Sequence, residues 1–385
     1  MSKLFTPIKL AGLELSNRIV VAPMCQYSSD GGKMTDWHLV HLSSLSMSGA
    51  GLVVIEGTDV DPSGHFTRNC LGLYSDEQEH KLSRVVENCK AVGAAAIGLQ
   101  LTHGGRKAGC NVPWVNAGRP LKEEDGRWTL LAPSAIPFAE DWAPPAALDK
   151  AGLTRLREAF VSAAKRANRA GVDSLELHAA HGYFIHQFLT PLTNTREDEY
   201  GGDFEKRMRF PLELFEAVRN AWPAEKPLGI RISGSDWVDG GLTLEDAVLF
   251  SERLARIGCN FICVSSGGIV PGAAPPKVEP GYQVSLAAEI GARTGVPTRA
   301  VGLISDPQHA EAILADGKVS MIALGRAFLD DPRWGWHAAA VLGADIPYPR
   351  QYERSHHSLW PGSKHFVPGK AYQNTNRFLP RGMGS

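Results

Sequence analysis

Short β-branched apolar runs, each too brief for a helix, recur eight times along the 385 residues and alternate with stretches of helical period. They are Arg18 to Ala22, Gly51 to Glu56, Ala95 to Leu101, Ser174 to Leu177, Leu228 to Ile232, Phe261 to Val264, Thr298 to Val301 and Ser320 to Leu324. Strand, helix and strand in that order make a βαβ unit, and eight β/α units favour a closed (β/α)8 TIM barrel over an open sheet. The intervening segments fit. Leu153 to Ala170 spaces Leu156, Phe160, Ala163, Ala164 and Ala167 by three and four residues, and Leu244 to Ile257 has the same character.

Two segments break the rhythm. Residues 109–150 carry Pro113, Pro120, Pro133, Pro137, Pro144 and Pro145, which reads as a long excursion after the third strand and not a separate domain. From Ser355 the chain is rich in His, Pro and Gly; a disordered tail is expected over 355–385, with a docking arm on a neighbouring subunit as the alternative. The barrel is then a single domain over residues 1–354.

Composition removes other classes. Hydrophobic residues at 43% and charged residues at 21% are ordinary for a globular chain. Forty basic against 41 acidic side chains leave no basic footprint for nucleic acid. The start lacks the apolar core of a signal peptide, and no run approaches the roughly 18 apolar residues of a membrane span. A cytoplasmic protein without membrane contact is expected. Six cysteines (25, 70, 89, 110, 259, 263) form no framework and no C-x-x-C pair, so free thiols are expected, with Cys259 and Cys263 as buried small hydrophobes.

In a β/α barrel the chemistry sits on loops after the carboxyl ends of the strands. Those ends deliver Pro23-Met24-Cys25-Gln26-Tyr27, then Gly57, then Gln100 followed by His103, Arg106 and Lys107. Next come His178-Ala179-Ala180-His181-Gly182-Tyr183, Arg231, Ser265-Ser266-Gly267-Gly268, Gly302, and Gly325-Arg326. A glycine after a strand is ordinarily a plain turn. Two of them after strands seven and eight, with an arginine beside the second, favour a phosphate-bearing ligand.

His178 and His181 reach one side if the chain turns helically between them. A metal site would need a third ligand, and no motif places one. As hydrogen-bond donors the two imidazoles would hold a substrate oxygen while the Tyr183 phenol supplies a proton to the adjacent carbon. Satisfied structural histidines are the competing reading, and a lone Cys25 is ordinarily inert.

At these residues the chain resembles the old yellow enzyme family of flavin-dependent ene-reductases, from Leu4 to about Arg354. The carrying motifs are Asn17 to Met24, His178 to Tyr183, and Asn194-Thr195-Arg196 through Tyr200-Gly201-Gly202 to Phe210. Pro23 to Tyr27 and Gln351-Tyr352-Glu353-Arg354 are similar to the thermophilic-like branch, which includes xenobiotic reductases. The resemblance implies noncovalent FMN at the carboxyl rim. Pro23, Met24, Cys25, Gly57, Gln100 and Arg231 would line its ring, and Gly302, Gly325 and Arg326 its phosphate. It implies that His178 and His181, with Tyr27, bind the substrate oxygen, that Tyr183 is the proton donor, and that Cys25 tunes the flavin. Ser265, Gln283 and Lys107 match peripheral positions. Arg354 would reach into a neighbouring subunit's site, implying a homodimer or a dimer of dimers, and Trp360 is weighed as an aromatic for a partner's pocket against a solvated tail. Gly57 departs from the family's Ala or Thr and removes a side-chain contact.

The activity implied is reduction of FMN by NADPH or NADH, followed by hydride transfer to Cβ and protonation of Cα of an activated alkene. Two rivals stand beside it. One is a barrel lyase or aldolase using the phosphate site for its substrate, with Lys107 as its candidate Schiff-base lysine. The other is a flavin-binding sensor or store without turnover.

Overall fold

In the computed structural model, which describes residues 2–363, the eight apolar runs are the strands of one closed parallel sheet. They are β1 (Ile19–Val21), β2 (Leu52–Asp59), β3 (Ala96–Thr102), β4 (Ser174–Ala179), β5 (Leu228–Ser233), β6 (Phe261–Ser265), β7 (Thr298–Ala300) and β8 (Met321–Leu324). Each pairs with the next, and Ile322 of β8 returns opposite Ile19 of β1 to close the ring. Helices α1 (Asp36–Ser46), α2 (Asp76–Val92), α3 (Lys150–Arg169), α4 (Arg209–Ala221), α5 (Leu244–Arg256), α6 (Val284–Thr294), α7 (Pro307–Ala315) and α8 (Trp334–Leu342) follow the strands in turn. The fold is a (β/α)8 TIM barrel.

Both faces of each strand are buried, so the runs read as nearly continuous apolar sequence. Alternation sorts them into two layers. Ile97, Leu99 and Leu101 of β3 join Leu156, Phe160 and Ala163 of α3 in the outer layer. Val20, Leu52, Val54, Phe261 and Met321 fill the barrel floor. An antiparallel hairpin, Ile8–Leu10 with Leu13–Leu15, adds Leu10 and Leu15 to that floor. Higher up, the inward positions are polar: Gln100, Glu176, His178, Arg231 and Arg299.

Several strands run further than the apolar runs. β2 continues through Asp59 with a register shift between Ile55 and Gly57, so Gly57 lies inside the strand and not after it. β4 continues to Ala179 and holds His178 in extended backbone. In both, polar inward residues end the apolar pattern before the ladder ends.

The segment after β3 is tied back to the barrel by a bridge between Thr67 and Cys110 and by the Trp128 indole donating to the Ser63 carbonyl at 3.1 Å. It holds one two-stranded pair, Leu131–Ala132 with Ala146–Ala147, and ends at Asp149, whose carboxylate accepts from Gly152 N at 2.7 Å to start α3. Near the chain end, Tyr348 stacks on Trp336 of α8 at 4.0 Å and the His356 ring lies 4.8 Å from Tyr348. Arg354 and Trp360 are exposed there. Residues 364–385, most of the expected tail, lie outside the described residues. No helix among the described residues is long and apolar enough to cross a membrane.

Phe160 is fully buried between α3 and the sheet. Phe160→Ala is expected to cost about 3–5 kcal/mol, measured as the shift of the denaturant unfolding midpoint at constant slope.

Candidate active site

At the carboxyl rim, Pro23, Met24, Arg231, Ser265, Gln283, Gly302, Gly325 and Arg326 line one cavity of about 770 Å³, a size typical of cofactor sites. The backbone makes the space. Gly302 stands at φ +117°, where a Cβ would come within 2.7 Å of Gln283 Nε2. Gly325 precedes the short helix Arg326–Asp330, and a Cβ there would meet only the Met24 side chain, at 3.4 Å. Arg231 points into the cavity with its Nε buried and without a partner among the described residues. A glycine-edged cradle with an arginine at each end is short of acceptors, which is what a phosphate and a ring with carbonyl oxygens would supply. The residues present fit FMN.

Gly57 and Gln100 face each other across β2 and β3. Gln100 Nε2 donates to Glu176 Oε1 at 2.7 Å, and its Oε1 lies 3.5 Å from where a Gly57 Cβ would be.

His178, on β4, lies in register with Arg231 on β5. The chain does not turn helically after it: Ala180 precedes a left-handed His181 at φ +58°, and this reversal sets the two rings 5.1 Å apart and nearly perpendicular. The two rings thus meet without the helical turn that the spacing alone would have needed, through a strand end plus a left-handed residue. Gly268 packs on that corner; a Cβ on it would sit 2.8 Å from His181 Cα. Lys107 ties the corner by donating to the His181 carbonyl at 2.8 Å and to the Gly268 carbonyl at 3.0 Å.

The hydrogen bonds define the tautomers. His178 Nδ1 accepts from Ala180 N at 3.2 Å, so its proton is on Nε2, which donates to His181 Nδ1 at 3.3 Å. His181 then donates from Nε2 to Ser265 Oγ at 2.7 Å, and Ser265 donates to Gln283 Oε1 at 3.2 Å. Burial, and then the cation of Arg231, hold both imidazoles well below their ordinary pKa. They are neutral donors, not cations.

Tyr183 lies 4.9 Å from the His178 ring and stacks on Phe66 at 4.2 Å. Burial, and then Cys25 and Tyr27, push its phenol well above the ordinary range. Lys107 Nζ sits 5.0 Å from its ring centre, and burial followed by Arg106 pushes that ammonium down to about 8. Tyr27, left-handed at φ +52°, has an edge contact with Trp114 of the excursion. The Cys25 thiol is raised by its hydrogen bond with Cys70 and then by burial, so it rests as a thiol. All six cysteines are free.

The structure places Pro23, Met24, Arg231, Gly302, Gly325 and Arg326 on the cavity, His178 and His181 beside Tyr183, and Gly57 opposite Gln100, while Arg354 lies exposed on the turn Arg350–Ser355. It adds residues that the sequence reading passed over. Glu56, two strand positions past Val54, accepts from Gln26 N at 2.9 Å and lies 3.4 Å from His38. His186 accepts from Gly182 N at 2.9 Å and meets buried Asp236 at 3.0 Å, fixing the backbone before Tyr183. Glu176 was findable by strand period, two before His178; Phe66 carries no such signal. Nitrogen-detected NMR of the histidines is expected to show His178 and His181 as neutral Nε2–H tautomers that do not titrate near 6.5; a protonation step there would contradict the assignment.

The sequence pattern of the NADH:flavin oxidoreductase / NADH oxidase family matches residues 3–342. An NADPH dehydrogenase of Geobacillus thermodenitrificans is 42% identical over 353 residues, 91% of this chain and 98% of that one. Among solved structures, morphinone reductase in complex with tetrahydroNAD superposes with a TM-score of 0.72 at 26% identity, covering 97% of this chain and all of that one. A 2-naphthoyl-CoA reductase superposes at 0.79 with 23% identity over 89% of this chain and 52% of that one, a likeness of fold alone. The chain therefore belongs to the NADH:flavin oxidoreductase / NADH oxidase family, the old yellow enzyme family, and is an NAD(P)H-dependent FMN oxidoreductase.

Proposed function

We propose that this oxidoreductase is an ene-reductase: electrons from NADPH or NADH reduce the C=C bond of α,β-unsaturated carbonyl or nitro compounds. The observation that carries the reading is the juxtaposition of two neutral imidazole donors with a protonated, half-buried phenol beside a flavin-sized cavity. A sensor or store needs to bind flavin but has no use for a proton donor placed beside an oxygen-binding pair, and family membership removes the lyase reading.

In this reading Arg231, Gln100, Pro23, Met24, Cys25 and Gly57 would hold the ring of FMN, and Gly302, Gly325 and Arg326 its phosphate. When bound there, FMN would supply the hydride chemistry between the nicotinamide and Cβ. His178 and His181 turn their Nε2–H groups from His181 Nδ1 and Ser265 Oγ to the substrate oxygen, with Tyr27 alongside, and so draw electron density from Cβ. Neutral imidazoles suit this, since they hold the oxygen without surrendering a proton to it. Tyr183 then donates its proton to Cα. Arg354, exposed on its turn, completes the neighbouring subunit's site in a homodimer.

An anaerobic visible spectrum, titrated with NADPH and then with 2-cyclohexenone, tests the reading. The flavin band should bleach and then return; a band that stays bleached with enones, maleimides and nitroalkenes alike would reject it. In Tyr183→Phe the reductive half should be unchanged, while enone reduction falls about 10²–10⁴-fold. Full turnover with solvent deuterium still delivered to Cα would remove Tyr183 from the role.

The pH dependence follows from the same groups. Tyr183 stays protonated and the histidines neutral, so no inflection is expected near 6.5 in the enone half-reaction. An alkaline limb near pH 8 is expected instead, where Lys107 loses its proton and with it the cation over Tyr183. The rate should fall as pH rises through 8, and Lys107→Met should abolish the limb in stopped-flow measurements.

A further inference from the structure

The barrel encloses a charged pair below the cavity that no step above uses. Arg299 on β7 and Glu176 on β4 are 0% and 1% exposed, and Nη1 donates to Oε2 at 2.8 Å. The guanidinium lies over the Phe261 ring at 4.5 Å, and its Nε and Nη2 have no partner among the described residues. Such a pair recovers little of its desolvation cost as stability, so its presence asks for another role.

The second carboxylate oxygen gives one. It accepts from Gln100 Nε2 at 2.7 Å. A carboxylate accepts and does not donate, so the amide has one orientation, NH₂ toward Glu176 and Oε1 away from it, on the side of Gly57. Across the interior, register places Arg231 beside Cys263 and Cys263 beside Arg299. Two cations and one anion therefore leave a single net positive charge in this layer.

We propose that Glu176 and Arg299 are positioning residues for the flavin. Together they hold Gln100 with its carbonyl oxygen toward the cofactor, as the acceptor for the ring's imide N–H, and they set the charge the ring experiences. This rests on the FMN site described above. A flipped amide would present donor to donor, and loss of either charge would shift the field on a ring that gains negative charge on reduction.

The test uses the holoprotein and its Glu176→Gln and Arg299→Met variants, with three readouts: FMN dissociation constant by fluorescence, midpoint potential of the bound flavin, and thermal unfolding. Both variants lose the ion pair, so a merely structural role would lower stability in both and move the potential the same way or not at all. The proposal requires opposite shifts. Glu176→Gln, one negative charge fewer, should make the flavin easier to reduce, and Arg299→Met should make it harder. Glu176→Gln should also weaken FMN about tenfold, the worth of one hydrogen bond.

Gln100→Met covers the case in which a charge variant folds poorly, since it leaves the ion pair in place. It should weaken FMN by the same factor as Glu176→Gln, and the two together should lose no more than either alone. Additive losses, or potentials moving in the same direction, would overturn the proposal. Wild-type protein that takes up no FMN would overturn the site itself.

Discussion

Closing a parallel sheet into a barrel buries both faces of every strand, and a polar group pointing inward then meets no solvent. It must be met by another inward group or by a ligand. The lower half of this barrel obeys by being apolar, with the hairpin leucines as its plug. The upper half obeys by mutual satisfaction: Arg299 with Glu176, Glu176 with Gln100, His181 with Ser265, Ser265 with Gln283. The accounting is incomplete at two arginines. Arg299 keeps Nε and Nη2 unpartnered inside the barrel, over the Phe261 ring, while Arg231 keeps its unpartnered Nε at the cavity wall, where a ligand with acceptors can reach it.

The same constraint governs the site's electrostatics. Burial disfavours charge, and in this region it acts on histidine, tyrosine and lysine together: the imidazoles lose their proton readily, the phenol keeps its own, and the ammonium is weakened. The result is a set of neutral donors around a protonated acid at neutral pH. A solvated version of the same triad would hold partly cationic histidines, which could protonate a substrate oxygen in place of polarising it.

What the sequence made legible follows from the period of each signal. The barrel was readable because doubly buried strands write themselves as apolar runs, and α3 because its apolar residues recur at three and four. Strand ends were harder to place. Gly57 and His178 belong to their strands, since the ladder continues after the side chains turn polar, and a hydrophobic pattern stops where the chemistry starts. Gly302, Gly325 and Arg326 were findable as glycines and an arginine at strand ends, and the barrel reading already placed them with Arg231 on one rim. The left-handed φ of Gly302 and the room it makes beside Gln283 were not findable, because they depend on side chains brought in from another loop.

The histidine pair shows the limit most plainly. Spacing alone brings the two side chains together only if the chain turns helically, yet the rings meet through a strand end and a left-handed His181. A histidine at φ +58° is uncommon and costs conformational energy. The surroundings hold it from three directions: Gly268 gives room for its backbone, Lys107 binds its carbonyl, and Ser233 Oγ accepts from its amide. None of these three is near it in sequence. A local motif thus names the residues that act, while residues from three other strand ends fix the conformation in which they act, and that second part becomes readable only once the barrel has brought the strand ends together.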